Sequence, residues 1–208
     1  MTGLDRELLQ KMLSLAYASI ESNVAYLNQL DSATGDGDHG TSIVKAIRAA
    51  CKSVTEAPLG QSLKDILYSA GWAVMSEDCG STSSLIGAFF MGMSETAVSD
   101  FLDDVAAIAL FSAGMTGIRK HTKAGLGDKT LMDALIPAIG TMQDADNLVS
   151  ALELAAAAAA HGAESTKDYV AKFGRAKNLG ERSVGHIDAG ATSMALIFDA
   201  FAQAVVRV

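Results

Sequence analysis

Three aspartates and a histidine stand close together in the segment DSATGDGDHGTS, residues 31–42. Its glycines permit a tight turn, so the carboxylates of Asp31, Asp36 and Asp38 can converge. Converging carboxylates repel one another unless a divalent cation lies among them. Mg²⁺ prefers oxygen ligands, uses few carboxylates and completes its shell with phosphate oxygens. The segment therefore predicts a magnesium site, and the alternative that stays open is a solvated acidic turn before an ordinary helix cap.

Other phosphate- and metal-binding motifs fit this segment poorly. Residues 35–40 match the pattern G-x-G-x-x-G, but a helical pattern rather than a strand precedes them, which argues against a dinucleotide-binding fold. An EF-hand loop that starts at Asp36 needs a glutamate where this chain has Ile47. Further along, an aspartate separates the last glycine from the lysine in GLGDKT, which breaks the P-loop pattern.

Glycine and hydroxyl residues mark the starts of several helices, where free backbone N–H groups and the helix dipole favour a phosphate. The first such start, Gly-Thr-Ser at residues 40–42, follows the acidic segment directly. A second is GSTSS, residues 80–84, and a third is GHIDAGAT, residues 185–192, which two arginines precede. Arginine suits phosphate through its fork of donors. Taken alone, each start also fits an ordinary N-cap, and Arg182 also fits an ion pair with a carboxylate.

The composition predicts a helical fold without a nucleic-acid or membrane partner. Half of the 208 residues are hydrophobic, only 6% are aromatic and two are proline, so long helices with an aliphatic core are expected. The net charge of −8 opposes contacts with nucleic-acid phosphates. Two cysteines are too few for a disulfide framework, and we find neither a signal segment nor an apolar run of about 18 residues. We therefore expect a cytoplasmic protein.

Apolar residues recur at helical spacing along the whole chain, with no strand-like alternation and no internal repeat. This pattern predicts one all-α domain, residues 1–208, and Gly162 marks a point where its seventh helix could break. We place the eight helices at residues 4–30, 41–54, 62–76, 84–97, 99–120, 130–140, 146–172 and 190–207.

The connections between these helices are of two kinds. Those after helices 2, 4 and 6 are ordinary in composition, whereas those after helices 1, 3, 5 and 7 are rich in glycine, hydroxyl and charged residues. Successive helices of an up-down bundle alternate in direction, so the four unusual connections are expected to meet at one end. An assembled site explains their composition better than four unrelated flexible loops do.

Three motifs carry a resemblance to a known family: LDSATGDGDHGTS, GDKTLMDAL and LGERSVGHIDAGATS. The chain resembles the L subunit of multi-subunit dihydroxyacetone kinases, a module that also forms the nucleotide-binding C-terminal domain of single-chain, ATP-dependent dihydroxyacetone kinases. The resemblance implies a barrel of eight antiparallel amphipathic helices that holds ADP or ATP and two Mg²⁺ at one end. By motif match, the metal ligands are Asp31, Asp36 and Asp38. The nucleotide contacts that it implies are His39, Gly40, Thr41, Ser42, Gly80, Ser81, Thr82, Thr122, Thr130, Leu131, Arg175, Asp188, Ala189 and Gly190.

The resemblance also implies the reaction and the partners. In this family a K subunit holds dihydroxyacetone covalently on a histidine, and the L subunit delivers the phosphoryl group from its nucleotide. In phosphotransferase-linked systems ADP stays bound, and a phosphohistidine M subunit recharges it. A homodimer is also expected. The unusual connections contain no nucleophile-and-base pair, which agrees with phosphoryl transfer because that reaction depends mainly on positioning and charge neutralisation.

Two points stay open. L subunits of this family can also bind a transcription regulator, so an ADP-dependent co-regulator is an alternative function. In addition, residues 79–87 read CGSTSSLIG where the family commonly reads GGASGPLYG, with glycines and a proline lost and hydroxyls gained. The helix start is kept, but the ketose (a triose or a tetrulose such as erythrulose) and the phosphoryl donor are not determined.

Overall fold

The computed structural model describes residues 3–206, most of which are α-helical. Two three-residue strands, β1 (Gly3–Asp5) and β2 (Phe101–Asp103), pair in antiparallel fashion. Two 3₁₀ stretches, Thr166–Asp168 and Arg175–Ser183, lie before the last helix. The α-helices of this part of the chain are α1 (Arg6–Ser22), α2 (Val24–Ser32), α3 (His39–Thr55), α4 (Leu63–Met75), α5 (Gly80–Ser94), α6 (Asp104–Arg119), α7 (Met132–Met142), α8 (Leu148–Ser165) and α9 (Ala189–Val206).

Eight of these helices form a closed ring. Around the ring, each helix packs against the next in the order α1, α3, α4, α5, α6, α7, α8 and α9, and α9 packs back against α1. α2 lies outside this order and packs against α3. Inside the ring, the ring of Phe111 on α6 contacts Phe89 on α5 and Phe198 and Phe201 on α9. The predicted all-α barrel is confirmed.

The two ends of the barrel differ in how their helices begin. α1, α4, α6 and α8 begin at one end, near the strand pair, and there a side-chain oxygen accepts a backbone N–H of the first turn. These capping residues are Asp5, Ser62, Asp103 and Asn147. α3, α5, α7 and α9 begin at the opposite end, where the N-cap residues of α3, α5 and α7 make no side-chain capping hydrogen bond. In α3, the N–H of Thr41 donates instead to the Oδ1 of Asn28 at 3.1 Å.

The first predicted helix, residues 4–30, is divided in the structure. At Asn23 the backbone N–H donates to the carbonyl of Ile20, and the side chain donates to the carbonyl of Ser19. The chain then resumes as α2, which turns toward α3. The apolar spacing continues across this break, which is why periodicity alone predicts one helix.

Other predicted boundaries were also wrong. The helix placed at 99–120 begins only at Asp104, because residues 101–103 form β2, a strand too short to give an alternating pattern. The helix placed at 84–97 begins at Gly80. The seventh helix ends at Ser165 and runs through Gly162 without a break.

α9 is long and apolar enough to cross a membrane, with a mean hydropathy of 1.5 over 18 residues. No such segment was expected from the sequence. However, 61% of it is buried within the protein, where α9 packs against α1, α7 and α8. Burial of this kind is typical of a core helix, so its length and composition are weak evidence for a membrane span.

Candidate functional site

The four unusual connections surround one cavity of about 920 Å³ at the end where α3, α5, α7 and α9 begin. Each connection contributes residues to its wall: the acidic turn after α2, the short link after α4, the longer loop after α6, and the segment between α8 and α9. The convergence predicted from the alternation of helix directions is therefore observed.

The acidic turn is organised by the side chain of Asp31 at the end of α2. Its Oδ2 accepts hydrogen bonds from the backbone N–H groups of Gly37 at 2.8 Å and Asp38 at 3.0 Å. Gly37 has a φ of +78°, a conformation that glycine adopts without strain. The turn brings carboxylate oxygens of Asp31, Asp36 and Asp38 within 4.8 Å of one another. Three hard oxygen donors at this separation fit Mg²⁺.

Arg175 supplies positive charge to the acidic turn. It follows Gly174, whose φ is +63°, at the start of a 3₁₀ stretch, and its guanidinium forms an ion pair with Asp36. The arginine side chain is 70% exposed, so the pair adds little to stability. It nevertheless places a positive charge against Asp36 in the acidic turn.

The first turn of α5 presents donors to the cavity. The helix begins at Gly80, whose φ is +59°. The Oγ of the buried Ser83 accepts from the N–H of Cys79 at 3.0 Å and donates to the carbonyl of Gly80 at 3.1 Å. Ser81 and Thr82 line the cavity. The segment that departs from the family pattern thus keeps a helix start, with one added hydroxyl supporting the turn and others facing the cavity.

A buried lysine joins two of the connections. Lys129 is 2% exposed, and its ammonium donates to the carbonyl of Thr166 at 2.5 Å and to the carbonyl of His186. Burial lowers the pKa of Lys129, while the charges of Asp188 and Asp133 oppose that shift. The lysine therefore connects the loop after α6 to the segment before α9.

Asp188 lies at the start of α9, where its Oδ2 accepts the N–H of Ala191 at 2.7 Å. Enclosure by protein raises the pKa of its carboxyl to about 7, and the charge of Asp133 adds to the shift. The hydrogen bond from Ala191 and the charge of Lys129 act in the opposite direction. Asp188 thus caps a helix and can change charge near neutral pH.

His39 connects the N-terminus of α3 to α9. Its Nε2 lies 2.9 Å from the Oγ of Ser193. Burial lowers the pKa of His39, although the nearby Asp31 and Asp38 act to raise it. The neutral imidazole is therefore favoured, and its hydrogen bond to Ser193 fixes two of the helix starts relative to each other.

Every predicted site residue except Gly40 lines the cavity. Gly40 is buried, and a Cβ atom there would lie 2.2 Å from the carbonyl oxygen of Val24, so its glycine permits α3 to pack closely on α2. The residues that do line it are Asp31, Asp36, Asp38, His39, Thr41, Ser42, Gly80, Ser81, Thr82, Thr122, Thr130, Leu131, Arg175, Asp188, Ala189 and Gly190.

Sequence reasoning missed other residues of the cavity wall. Lys45 follows Thr41 by four residues in α3, and this spacing places both on one helix face. Lys129 stands in the GDKT motif, but no pattern in the sequence indicates that its side chain is buried. Further missed residues of the wall are Asp78, Cys79, His121 and Phe173.

A family model for the DAK2 domain matches residues 33–203 of the chain. The chain belongs to the DAK2 domain family. Among its curated relatives, the ADP-binding subunit DhaL of PEP-dependent dihydroxyacetone kinase 1 from Listeria innocua is 35% identical over 184 residues, which cover 88% of this DAK2 chain and 89% of the relative. The L-erythrulose 1-kinase of Mycolicibacterium smegmatis is 33% identical over 89% of this chain, but the match covers only 33% of that kinase.

A solved structure shares the fold of this DAK2 domain. The dihydroxyacetone kinase from C. freundii, crystallised in complex with AMP-PNP and Mg²⁺, superposes with a TM-score of 0.73 at 25% sequence identity. The match covers 98% of this chain and 35% of that kinase chain. The DAK2 chain thus spans nearly all of the bacterial ADP-binding subunit and about a third of the larger kinases.

Proposed function

We propose that this DAK2 chain is the nucleotide- and magnesium-binding subunit of a dihydroxyacetone kinase, and that it delivers a phosphoryl group from its nucleotide to a ketose held by a partner subunit. The observation that carries the proposal is the convergence of three carboxylates and the first turns of α3 and α5 on one cavity of about 920 Å³. A cavity of this size falls within the range of small-molecule and cofactor sites. Similarity to the Listeria innocua ADP-binding subunit over almost its full length supports the proposal.

The proposed metal ligands are Asp31, Asp36 and Asp38, with two Mg²⁺ shared between them and the phosphates. Magnesium bound there would neutralise charge on the phosphate oxygens. The three carboxylates offer the hard oxygen donors that this ion requires, and the ion pair of Asp36 with Arg175 shows that they favour a positive neighbour. Once a metal neutralises Asp36, the guanidinium of Arg175 is available to a phosphate oxygen.

The proposed nucleotide contacts come from the helix starts and the loop after α6. The first turn of α5 binds phosphate through N–H and hydroxyl donors, and α3 contributes the hydroxyls of Thr41 and Ser42, since the N–H of Thr41 already donates to Asn28. Residues of the other two connections enclose the rest of the nucleotide. These contacts are His39, Thr41, Ser42, Gly80, Ser81, Thr82, Thr122, Thr130, Leu131, Arg175, Asp188, Ala189 and Gly190, while Gly40 acts through packing.

The proposal includes partners and a location. A K subunit would carry the ketose covalently, a phosphohistidine M subunit would recharge the nucleotide, and the chain would act in the cytoplasm, as a homodimer. The residues of the proposed site bind and position phosphate, which suits a subunit that leaves acceptor chemistry to a partner. A tetrulose acceptor is the second candidate, because residues 79–87 depart from the family pattern and the chain is also 33% identical to an L-erythrulose 1-kinase.

The decisive test is the binding of ADP, with and without Mg²⁺, to protein first freed of bound nucleotide with EDTA, measured by isothermal titration calorimetry. The unmodified protein should bind Mg²⁺–ADP, and EDTA should abolish binding. Asp36→Asn and Asp38→Asn should each weaken binding at least about 100-fold, equivalent to about 3 kcal/mol, because a metal ligand is lost. Circular dichroism should show the helical fold unchanged.

Asp144→Asn is the matched control, because this exposed aspartate follows α7 at the opposite end of the barrel. It should leave the affinity for ADP unchanged. If the unmodified protein and the three variants bound ADP with equal affinity, the carboxylates of the acidic turn would not hold a metal, and the proposed site would be refuted. If ADP binds but no phosphoryl transfer to dihydroxyacetone or erythrulose occurs with a K subunit and any donor, the co-regulator alternative is favoured.

A further inference from the structure

The side chains of two lysines and one arginine line the cavity: Lys45, Lys129 and Arg175. Two of them are already engaged. The ammonium of Lys129 is buried and donates to the carbonyls of Thr166 and His186. The guanidinium of Arg175 pairs with Asp36. The cavity otherwise carries several carboxylates, and Lys45 is the one of these three cations whose charge is not engaged by another residue in the range 3–206.

Lys45 differs from the other two. Its side chain makes no hydrogen bond and no ion pair with any residue in the range 3–206, although carboxylates are close by. It lies on α3, four residues after Thr41 and three after Ser42, so it shares a helix face with two of the proposed phosphate contacts. Its ammonium is therefore free to meet a ligand.

Lys45 lines the same cavity as Cys79, the residue directly before α5. Burial raises the pKa of the Cys79 thiol, and the charge of Lys45 opposes this shift, while Asp38 reinforces it. The thiol precedes the first turn of α5. Lys45, the first turn of α5 and Asp38 of the acidic turn all line the same cavity, so the ammonium shares the space in which groups that can donate to phosphate face the proposed metal ligands.

We propose that Lys45 is a catalytic residue of phosphoryl transfer, and that its ammonium contacts the phosphoryl group while this group moves between donor and acceptor oxygens. The inference rests on the proposed function. In the transfer, the bond between the γ-phosphorus and the bridging oxygen breaks and leaves its electron pair on ADP. A hydroxyl oxygen of the ketose forms the new bond to phosphorus, and the hydroxyl proton passes to solvent.

This role is distinct from ground-state binding. Under the proposed function, the phosphates of ADP would be held by magnesium, by the first turn of α5 and by Arg175. A group that accelerates transfer must bind more strongly to the transition state than to the ground state. A free cation beside the path of the phosphoryl group provides such an interaction, because the oxygens of the moving group carry charge.

The test compares ADP with a mimic of the transferring phosphoryl group. Affinities for Mg²⁺–ADP and for Mg²⁺–ADP–tetrafluoroaluminate are measured by calorimetry in the complex with the K subunit and dihydroxyacetone, alongside kcat for transfer. Lys45→Met should leave the affinity for ADP within about 3-fold, weaken the fluoroaluminate complex about 100-fold and lower kcat by a similar factor. Lys45→Arg should restore part of both losses.

Lys52→Met is the matched control, since Lys52 is exposed on the same helix, two turns beyond Lys45 and outside the cavity wall. It should behave as the unmodified protein. If Lys45→Met weakened the binding of ADP and of ADP–tetrafluoroaluminate by the same factor, Lys45 would act in ground-state binding and the proposal would be overturned. If Lys45→Met raised the KM for the K subunit and left the affinity for ADP–tetrafluoroaluminate unchanged, Lys45 would contribute to contact with the K subunit, and the proposal would also be overturned. If the unmodified protein fails to bind Mg²⁺–ADP, the proposed function itself fails.

Discussion

The carboxyl group of Asp188 connects the charge of the cavity to the stability of the protein. Enclosure by protein raises its pKa from 3.8 to about 7, and the charge of Asp133 adds to this shift, while Lys129 and the N–H of Ala191 reduce it. The folded protein therefore binds this proton more tightly than the unfolded chain does. The stability contributed by the proton is fully present below about pH 4 and is lost as the pH rises through about 7.

We predict that Asp188→Asn stabilises the nucleotide-free protein at pH 8 and has little effect near pH 4.5. Asparagine keeps an acceptor for the N–H of Ala191 but carries no charge to bury. The gain at pH 8 should be about 1–3 kcal/mol, reduced from the full shift because part of Asp188 is open to the cavity. Urea denaturation at both pH values measures it. Asp199→Asn, an exposed position on α9, is the control, and a gain that did not change with pH would contradict the prediction.

The site was predictable from the sequence where its residues are close along the chain. The turn that holds Asp31, Asp36 and Asp38 needs only eight residues and its glycines. Family motifs supplied most of the remaining residues of the cavity wall. Lys45 and Lys129 were missed because their roles depend on which helices pack beside them, and Lys129 becomes buried only when the segment before α9 folds over it.

At the scale of elements, Gly162 shows that a glycine within a helical pattern can permit close helix packing as well as break a helix. A glycine within a helical pattern can indicate a break, but α8 continues through this position. A Cβ atom on Gly162 would lie 2.1 Å from the carbonyl oxygen of Asp133 in the first turn of α7. Pro137, four residues further on, lacks the N–H that would normally bond to this carbonyl. The glycine is therefore needed for close contact between α7 and α8.

We predict that Gly162→Ala destabilises the protein by about 1–3 kcal/mol, because the added methyl group forces α8 away from α7. Gly140→Ala is the matched control: Gly140 also lies within a helix, but its added Cβ would meet no atom within 4 Å. It should be neutral or stabilise by about 0.5–1 kcal/mol, since alanine is the better helix former. Urea denaturation of both variants is sufficient. A loss at position 140 as large as that at 162 would contradict the prediction, because the loss at 162 could then not be assigned to the contact between α7 and α8.

The same contact has a consequence for the site. The side chain of Asp133 accepts the N–H of Gly127 at 2.6 Å and the N–H of Thr130 at 2.7 Å, so it shapes the loop after α6. Displacement of α7 should therefore also disturb that loop.

The helical periodicity of the sequence predicted eight helices, and the composition of the connections predicted that four of them meet at one end of the barrel. The break at Asn23 and the short strands were not predicted, because they depend on local hydrogen bonds that leave no periodic signal in the sequence.

For the whole molecule, the closed ring provides a rigid frame for the four connections. The segment between α8 and α9 is the longest of them, and it is anchored at several points. The ammonium of Lys172 donates to the carboxylate of Asp128 at 2.8 Å. The backbone N–H of Lys172 donates to the backbone carbonyl of Asp128 at 3.1 Å. The N–H of Gly185 donates to the carbonyl of Lys167 at 2.7 Å. A nucleotide enclosed by this segment and three other connections has few routes of escape, so slow release is expected.

We therefore predict that the protein purifies with ADP and magnesium bound, and that ADP is a retained cofactor rather than a spent substrate. Denaturation followed by chromatography and metal analysis should recover ADP near one equivalent per chain. Asp38→Asn, which lacks a proposed metal ligand, should purify with little nucleotide. Mixed with its K subunit and ketose, the protein should stop after about one turnover on ATP alone, because ADP leaves slowly and must be recharged in place. Addition of a phosphohistidine M subunit should restore turnover. Sustained turnover on ATP without any phosphohistidine protein would contradict the prediction and assign this chain to kinases that exchange ATP directly.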